Sequence, residues 1–273
     1  MSSFRVPFHH LKELILAGGP RDIFGFLHRL DHPRKMDNLH LTLHDCTVGD
    51  VSQVIGPYLR DHVQRRGRSQ NGLGLSLTSR HAITMRVGEV RGVDLSVLPI
   101  RGIDSFVEII VEPNEAPRGE ELDKTVLDLI AHVPREEIVF FETRGGRVAM
   151  GNVHARFPNL GALSFNATPL TAVFPNPNPD GVLASLRHVF LQNPVVNGGD
   201  WSPLMTFLSR RASSGNRLDS LEMSYSPHMC LELVERIRSM VRGFSIEGRS
   251  SLCPFGTCPI PLSSRPRVLI PRS

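Results

Sequence analysis

The sequence predicts an α/β chain, an irregular solenoid of parallel strands alternating with helices, and three observations predict it. A unit made of an apolar residue, two variable ones and then apolar residues alternating with exposed ones recurs along the chain. Segments of helical periodicity lie between the recurrences, and the recurrences are closely spaced. Short periods mark stacked arrays, because a strand-plus-helix unit has an apolar edge that only a neighbouring unit can bury. A compact α/β domain with parallel strands would give a similar periodicity; the shortness of the period favours the array.

The first unit is Leu11, Leu14 and Leu16, followed by Pro20 to Leu30. There Ile23, Phe24, Phe26, Leu27 and Leu30 keep helical spacing behind a proline suited to a first turn. Met36, Leu39, Leu41 and Leu43 open the second unit 25 residues later, with Val48, Val51, Val54, Ile55, Tyr58 and Leu59 supplying its helix. The pattern returns at Ile138 and Phe140, at Leu160, Leu163 and Phe165, at Leu186, Val189 and Leu191, and at Leu218, Leu221 and Met223. The last three start 26 and 32 residues apart. Helices are predicted over 120–132, over 201–211 behind an Asp200 cap, and over 227–241, with Phe244 and Ile246 as a short closing strand.

One stretch breaks this rhythm. Around 71–111 a β-rich insertion reads as three or four short strands with no helix between them, since period two replaces period 3.6. It forms either its own small sheet or an all-strand segment that widens the array. Beyond residue 248 the composition shifts to Ser, Pro and Arg, so the expected organisation is a repeat domain over 1–248 and a flexible tail over 249–273.

Composition limits the function classes. With 40% apolar residues among 273, the chain can build a continuous core. The net charge of +4 sits entirely at the end: Arg249, Arg265, Arg267 and Arg272 follow residue 248 without any acid, and the body before them is neutral. The pI therefore implies no basic groove. Arg5, His9, His10, Lys12 and Glu13 break any apolar run behind the N-terminus, which argues against secretion. The longest uncharged stretch, 157–179, holds Pro158, Pro169, Pro175, Pro177 and Pro179, too many for a membrane helix. Only four cysteines occur, Cys46 and Cys230 far from Cys253 and Cys258, which suits a reducing compartment, the cytoplasm or nucleus. A monomer without cofactor or membrane contact is expected.

The L-x-x-L-x-L-type units at 11–16 and 36–41, F-P-N-L-x-x-L-x-F at 157–165 and L-x-x-L-x-M at 218–223 resemble leucine-rich repeats. Their irregular spacing is similar to that of the C-terminal halves of the large F-box and leucine-rich-repeat family of mushroom-forming fungi, over residues 8 to 247. The Asn that closes the strand turn in such repeats is missing from most units, although Asn166 and Asn193 stand near its place. Members of that family carry an N-terminal F-box, a three-helix module that docks on the adaptor of a cullin ubiquitin ligase. This chain has no Leu-Pro-x-Glu-like opening and enters its first repeat by Leu11, so the resemblance implies the substrate-receptor half alone. Either the module was lost or the chain is a partial gene product.

Candidate chemistry is weaker than these repeats. His40 and His44, with Asp45 and Cys46 behind them, look like a metal cluster, but residues four apart on a strand lie roughly 13 Å from each other. Polar residues on an open sheet face explain them. Cys253 and Cys258 lack a second ligand pair, which leaves a loop disulfide or two free thiols. His28 and His32 have helical spacing but no glutamate between them as a metalloprotease helix requires. No G-x-S-x-G elbow, P-loop or dinucleotide fingerprint occurs, and the Gly-Gly-Pro at 18–20 reads as a strand-to-helix turn. The adjacent acids Glu120/Glu121 and Glu136/Glu137 project apart and read as solvated charges. Arg60, Arg65, Arg66 and Arg68 invite a nucleic-acid reading, but only Tyr58 is close enough to stack with them; the wet end of a helix explains the run.

What remains is a recognition surface. If the strands line the inner face of a curved array, their exposed positions are Ile15, His40, Thr42, Val139, Phe141, Ser164, Asn166, His188, Phe190 and Glu222. Phe141 and Phe190 are the expected anchors, because aromatics on an open face are typical of protein interfaces; burial beneath the insertion or tail is the alternative. The sequence thus predicts a non-enzymatic scaffold for a protein partner. A partial gene product or a structural relic without binding function is the second expectation.

Overall fold

The computed structural model describes residues 6–7, 12–31, 37–46, 48–65, 72–79, 82–90, 103–112, 127–128, 130–144, 156–174, 183–224, 229–247 and 252–253. In chain order the strands are β1 (Val6–Pro7), β2 (Glu13–Gly18), β3 (Leu30–Asp31), β4 (Asn38–His44), β5 (Leu73–Ser79), β6 (Ile83–Val90) and β7 (Ile103–Glu112). There follow β8 (Ile138–Arg144), β9 (Ala162–Asn166), β10 (His188–Gln192), β11 (Ser220–Ser224), β12 (Met229–Cys230), β13 (Phe244–Glu247) and β14 (Leu252–Cys253). The helices are α1 (Pro20–Arg29), α2 (Val48–Arg65), α3 (Leu170–Val173), α4 (Ser202–Ser213) and α5 (Leu231–Met240).

Ten of these strands form one open, mostly parallel sheet in the order β13-β11-β10-β9-β8-β5-β6-β7-β4-β2. The alternation read from the sequence supplies its inner layer. Leu39, Leu41 and Leu43 on β4, Leu163 and Phe165 on β9, Val189 and Leu191 on β10, and Leu221 and Met223 on β11 are all buried in one cluster. The same cluster takes Ile23 and Leu27 of α1, Val51 and Leu59 of α2, Leu204 and Leu208 of α4, and Val234 and Ile237 of α5. A strand shows alternate residues to opposite faces, so the helices cover one face and the intervening positions lie on the other.

The local signals for α1 are the expected ones. Pro20 opens α1, Asp22 stands in its first turn, and His28 and Arg29 in its last, each complementing the helix dipole. The Asp200 carboxylate accepts the backbone N–H of Ser202 at 2.9 Å, but the capping position of α4 is Trp201, one residue later than expected, and it makes no side-chain cap hydrogen bond. Helix α2 is longer than its apolar pattern implies and runs through Pro57 to Arg65. The helix expected over 120–132 lies mostly outside the described residues, and so does the tail from 254 on. Leu252 and Cys253, within the expected tail, pair in parallel with Met229 and Cys230.

Backbone details recur at equivalent places. Lys12 O accepts the N–H groups of Asp37 and Asn38; Gly161 O accepts those of Arg187 and His188; Arg187 O accepts those of Asp219 and Ser220. At the exits of β4, β9 and β10, Asp45, Ala167 and Asn193 each adopt φ near +50°, at 52°, 53° and 48°. This left-handed residue turns the chain out of the sheet at a cost of about 1–2 kcal/mol for a residue with a Cβ.

The insertion joins the main sheet and widens it. Its three strands lie between β4 and β8 in the order β7-β6-β5, with β6 antiparallel to both neighbours and every other pairing parallel. The chain therefore crosses two strand positions on leaving β4 and two more on leaving β7.

Where β5 meets β8, the register shifts between Leu73 and Gly74, which face Ile138 and Phe140. Val139 is the extra residue of a β-bulge, so the alternation downstream is inverted. Two expectations are corrected here. Phe141 is 0% exposed and lies in the helix-side core, its ring 6.0 Å from that of Phe157. Phe140 takes the opposite face instead, in a second small cluster with Val90 and Ala162, against which Ile103, Val139 and Phe190 pack. A Cβ on Gly74 would stand 2.7 Å from Ile103 Cγ1 and 3.3 Å from Phe140 Cδ1. Gly74→Ala is therefore expected to cost about 1–3 kcal/mol by overpacking, measured by urea unfolding; an unchanged midpoint would contradict this placement of Ile103.

Candidate functional site

On the face away from the helices, cross-strand register assembles a row from ten strands. From one edge to the other it reads Ile15, His40, Glu108, Arg86, Ser76, Glu142, Ser164, Phe190, Glu222 and Ser245. A second row beside it holds Ala17, Thr42, Ile110, Thr84, Thr78, Arg144, Asn166, Gln192, Ser224 and Glu247.

The part of the face from β2 to β8 is internally neutralised. His40 lies between two carboxylates, Nδ1 at 3.0 Å from Glu108 and Nε2 at 3.4 Å from Glu13. Arg86 Nε donates to the other Glu108 oxygen at 2.6 Å. His44 Nδ1 is 2.8 Å from Glu112. Ser76 Oγ donates to Glu142 at 3.1 Å, and Arg144 holds the second oxygen of the same carboxylate at 3.0 Å. Burial alone would raise the Glu108 pKa, but hydrogen bonds and charge from Arg86 and His40 outweigh it and hold the carboxyl below its usual range. The resulting stability is present above the unfolded pKa and is lost as pH falls through the lower folded value.

The opposite half differs. Asn166 Nδ2 donates to Gln192 Oε1 at 2.9 Å, but Glu222 and Glu247 have no cationic partner among the described residues. Burial, reinforced by the nearby Glu247 charge, pushes the Glu222 carboxyl above its ordinary value. Ionisation of Glu222 thus opposes folding, increasingly as pH rises through the unfolded and then the folded pKa. Glu222→Gln is expected to raise the melting temperature at neutral pH, with the gain vanishing in acid; a lower melting temperature at neutral pH would contradict it.

The positions expected on the recognition face fall into three groups. Ile15 (68% exposed), His40, Thr42, Ser164, Asn166, Phe190 and Glu222 lie on the open face with at least part of their surface in water. Val139, at the bulge, is partly buried against the second cluster like Phe190, whereas His188 is on that side but buried, its Nδ1 2.9 Å from Ser220 Oγ. Phe141 does not belong to the face at all. Glu108, Arg86 and Ser76 belong to it but escape sequence reasoning, because no pattern placed the insertion within the sheet, and Glu142 escapes it because the bulge at Val139 inverts the alternation of β8. The alternation Phe106-Val107-Glu108-Ile109 carried the only signal for Glu108.

His40 and His44 engage different glutamates, and Cys46 is buried with its thiol toward Leu43 O at 3.6 Å. Among the described residues no group of three or more His, Cys, Asp or Glu could hold a metal ion. No helix among them is long and apolar enough to cross a membrane. Arg60 lies on α2 with Nη2 3.2 Å from His132 Nδ1; Arg66 and Arg68 fall outside the described residues. No protein-family model, curated protein or solved structure matches the chain.

Proposed function

We propose that this chain is a non-enzymatic protein-recognition scaffold that takes its partner on the helix-free face of the sheet. The carrying observation is that a fixed row of side chains crosses all ten strands there, with His40, Ser164, Phe190 and Glu222 partly open to water. His40, held by Glu108 and Glu13 on the flanking strands, loses little entropy on association, which suits a preorganised binding surface. The architecture is an irregular leucine-rich-repeat-like solenoid, supported by the repeated strand entries from Lys12, Gly161 and Arg187 and the repeated left-handed exits. By resemblance, the chain is the substrate-receptor half of an F-box-type ubiquitin ligase component.

The test is affinity capture from cell extract with the intact chain, with Ser164→Arg/Phe190→Leu on the open face, and with Phe24→Arg on exposed α1. Proteins retained by the intact chain and the α1 variant but lost by the open-face variant are the expected result. Identical captures from all three would overturn the proposal, and empty captures would favour the relic.

A further inference from the structure

The two halves of the open face differ in what they leave unsatisfied. From β2 across to β8, the carboxylates of Glu13, Glu108, Glu112 and Glu142 all have His or Arg beside them. On β11 and β13, Glu222 and Glu247 are diagonal neighbours in parallel register, close enough for their charges to interact, and no Arg, Lys or His among the described residues reaches them. Phe190 stands directly across from Glu222 on β10, packed on one side against the Phe140 cluster and only partly buried.

We propose that this half of the face docks a cationic segment of a partner protein, with one arginine side chain stacked on Phe190 against Glu222 and a second cation of the same segment facing Glu247, which lies beyond Glu222 on β13. The proposal rests on reading this face as the recognition surface, and charge complementarity selects the occupant. A guanidinium is planar and weakly hydrated, so it stacks on an aromatic ring while its N–H fork reaches carboxylates; an ammonium does this less well. The neutral flanks, Ser164, Gln192, Ser224 and Ser245, hold no positive charge to repel it. Nucleic acid is disfavoured by the same two carboxylates.

The probe is a fluorescein-labelled peptide of alternating arginine and serine, compared with its lysine counterpart by fluorescence anisotropy on the full chain. Glu222→Gln/Glu247→Gln is expected to weaken arginine-peptide binding about tenfold, the scale of two solvent-screened charge pairs. Phe190→Leu keeps an apolar side chain, and it should abolish the preference for arginine over lysine. Glu13→Gln/Glu112→Gln, at the neutralised end, should change nothing. Equal weakening by both pairs of substitutions, no effect of the first pair, or no binding at about 1 mM peptide, a Kd of little use at ordinary protein levels, would overturn the proposal. Tighter peptide binding after Arg249, Arg265, Arg267 and Arg272 are changed to serine would overturn it differently, making the chain's own terminus the occupant. If captured proteins depend on Phe190 yet bind Glu222→Gln/Glu247→Gln unchanged, the recognition surface stands and the cationic partner does not.

Discussion

Phe141→Ala is expected to destabilise the fold by about 3–5 kcal/mol, the cost of emptying a large aromatic site in a core that cannot fully collapse. Phe141 is wholly buried among helix-side residues and faces Phe157 across 6.0 Å. Simple alternation from Ile138 would place it on the opposite, open face, where truncation would cost no more than about 0.5 kcal/mol. The two placements therefore differ severalfold in one urea denaturation curve. Phe190→Ala, at a partly buried position, serves as the comparison and should cost clearly less. Equal, small effects at both positions would mean that the bulge at Val139 is misplaced.

Arg211→Ala is expected to cost about 2–5 kcal/mol, because it removes the guanidinium donors from two carbonyls, of which Leu183 O keeps the Leu186 N–H, and opens a cavity. Arg211 is 7% exposed on α4, and its guanidinium donates to Leu183 O at 2.8 Å and Leu186 O at 2.6 Å. It also lies 5.7 Å from the centre of the Phe207 ring. Burial and the neighbouring Arg187 both press its pKa down, with Asp219 opposing; the two carbonyls compensate part of that burial, while the buried Nε has no partner among the described residues. The segment 183–186 leads into β10, so its anchoring sets the approach of Phe190 to the open face. Arg211→Lys keeps the charge but lacks the planar fork that spans both carbonyls, and should recover only part of the loss. A loss under about 0.5 kcal/mol, typical of surface sites, would contradict this role.

The strands of the regular units were legible because their alternation is clean. Leu39, Leu41 and Leu43, or Leu221 and Met223, have only one way to bury every apolar side chain at once. Helix α4 was legible from its apolar face, although it begins one residue later than an Asp200 cap implies. The insertion was not, because its strand content is local while its position depends on pairing partners distant in sequence: Leu73 with Ile138, Leu39 with Val107. The bulge at Val139 was invisible for a related reason, since Ile138, Val139, Phe140 and Phe141 are all apolar and offer no alternation to count. Hence Phe141 was read on the wrong face, while Phe190, in a strand of ordinary register, was read on the right one. His188 and Ser220 show a further limit, because parity gives the side of a sheet and says nothing of what covers it.

The open face is a recognition surface in this account, and site-specific photocrosslinking tests that most directly. A benzophenone amino acid is placed at Phe190 on the open face and, separately, at Leu231, an exposed residue on the helix side. Both proteins are irradiated in cell extract. The account predicts discrete crosslinked proteins from position 190, displaced by excess unlabelled chain and absent from position 231. Crosslinks confined to position 231, with none from position 190, would contradict it.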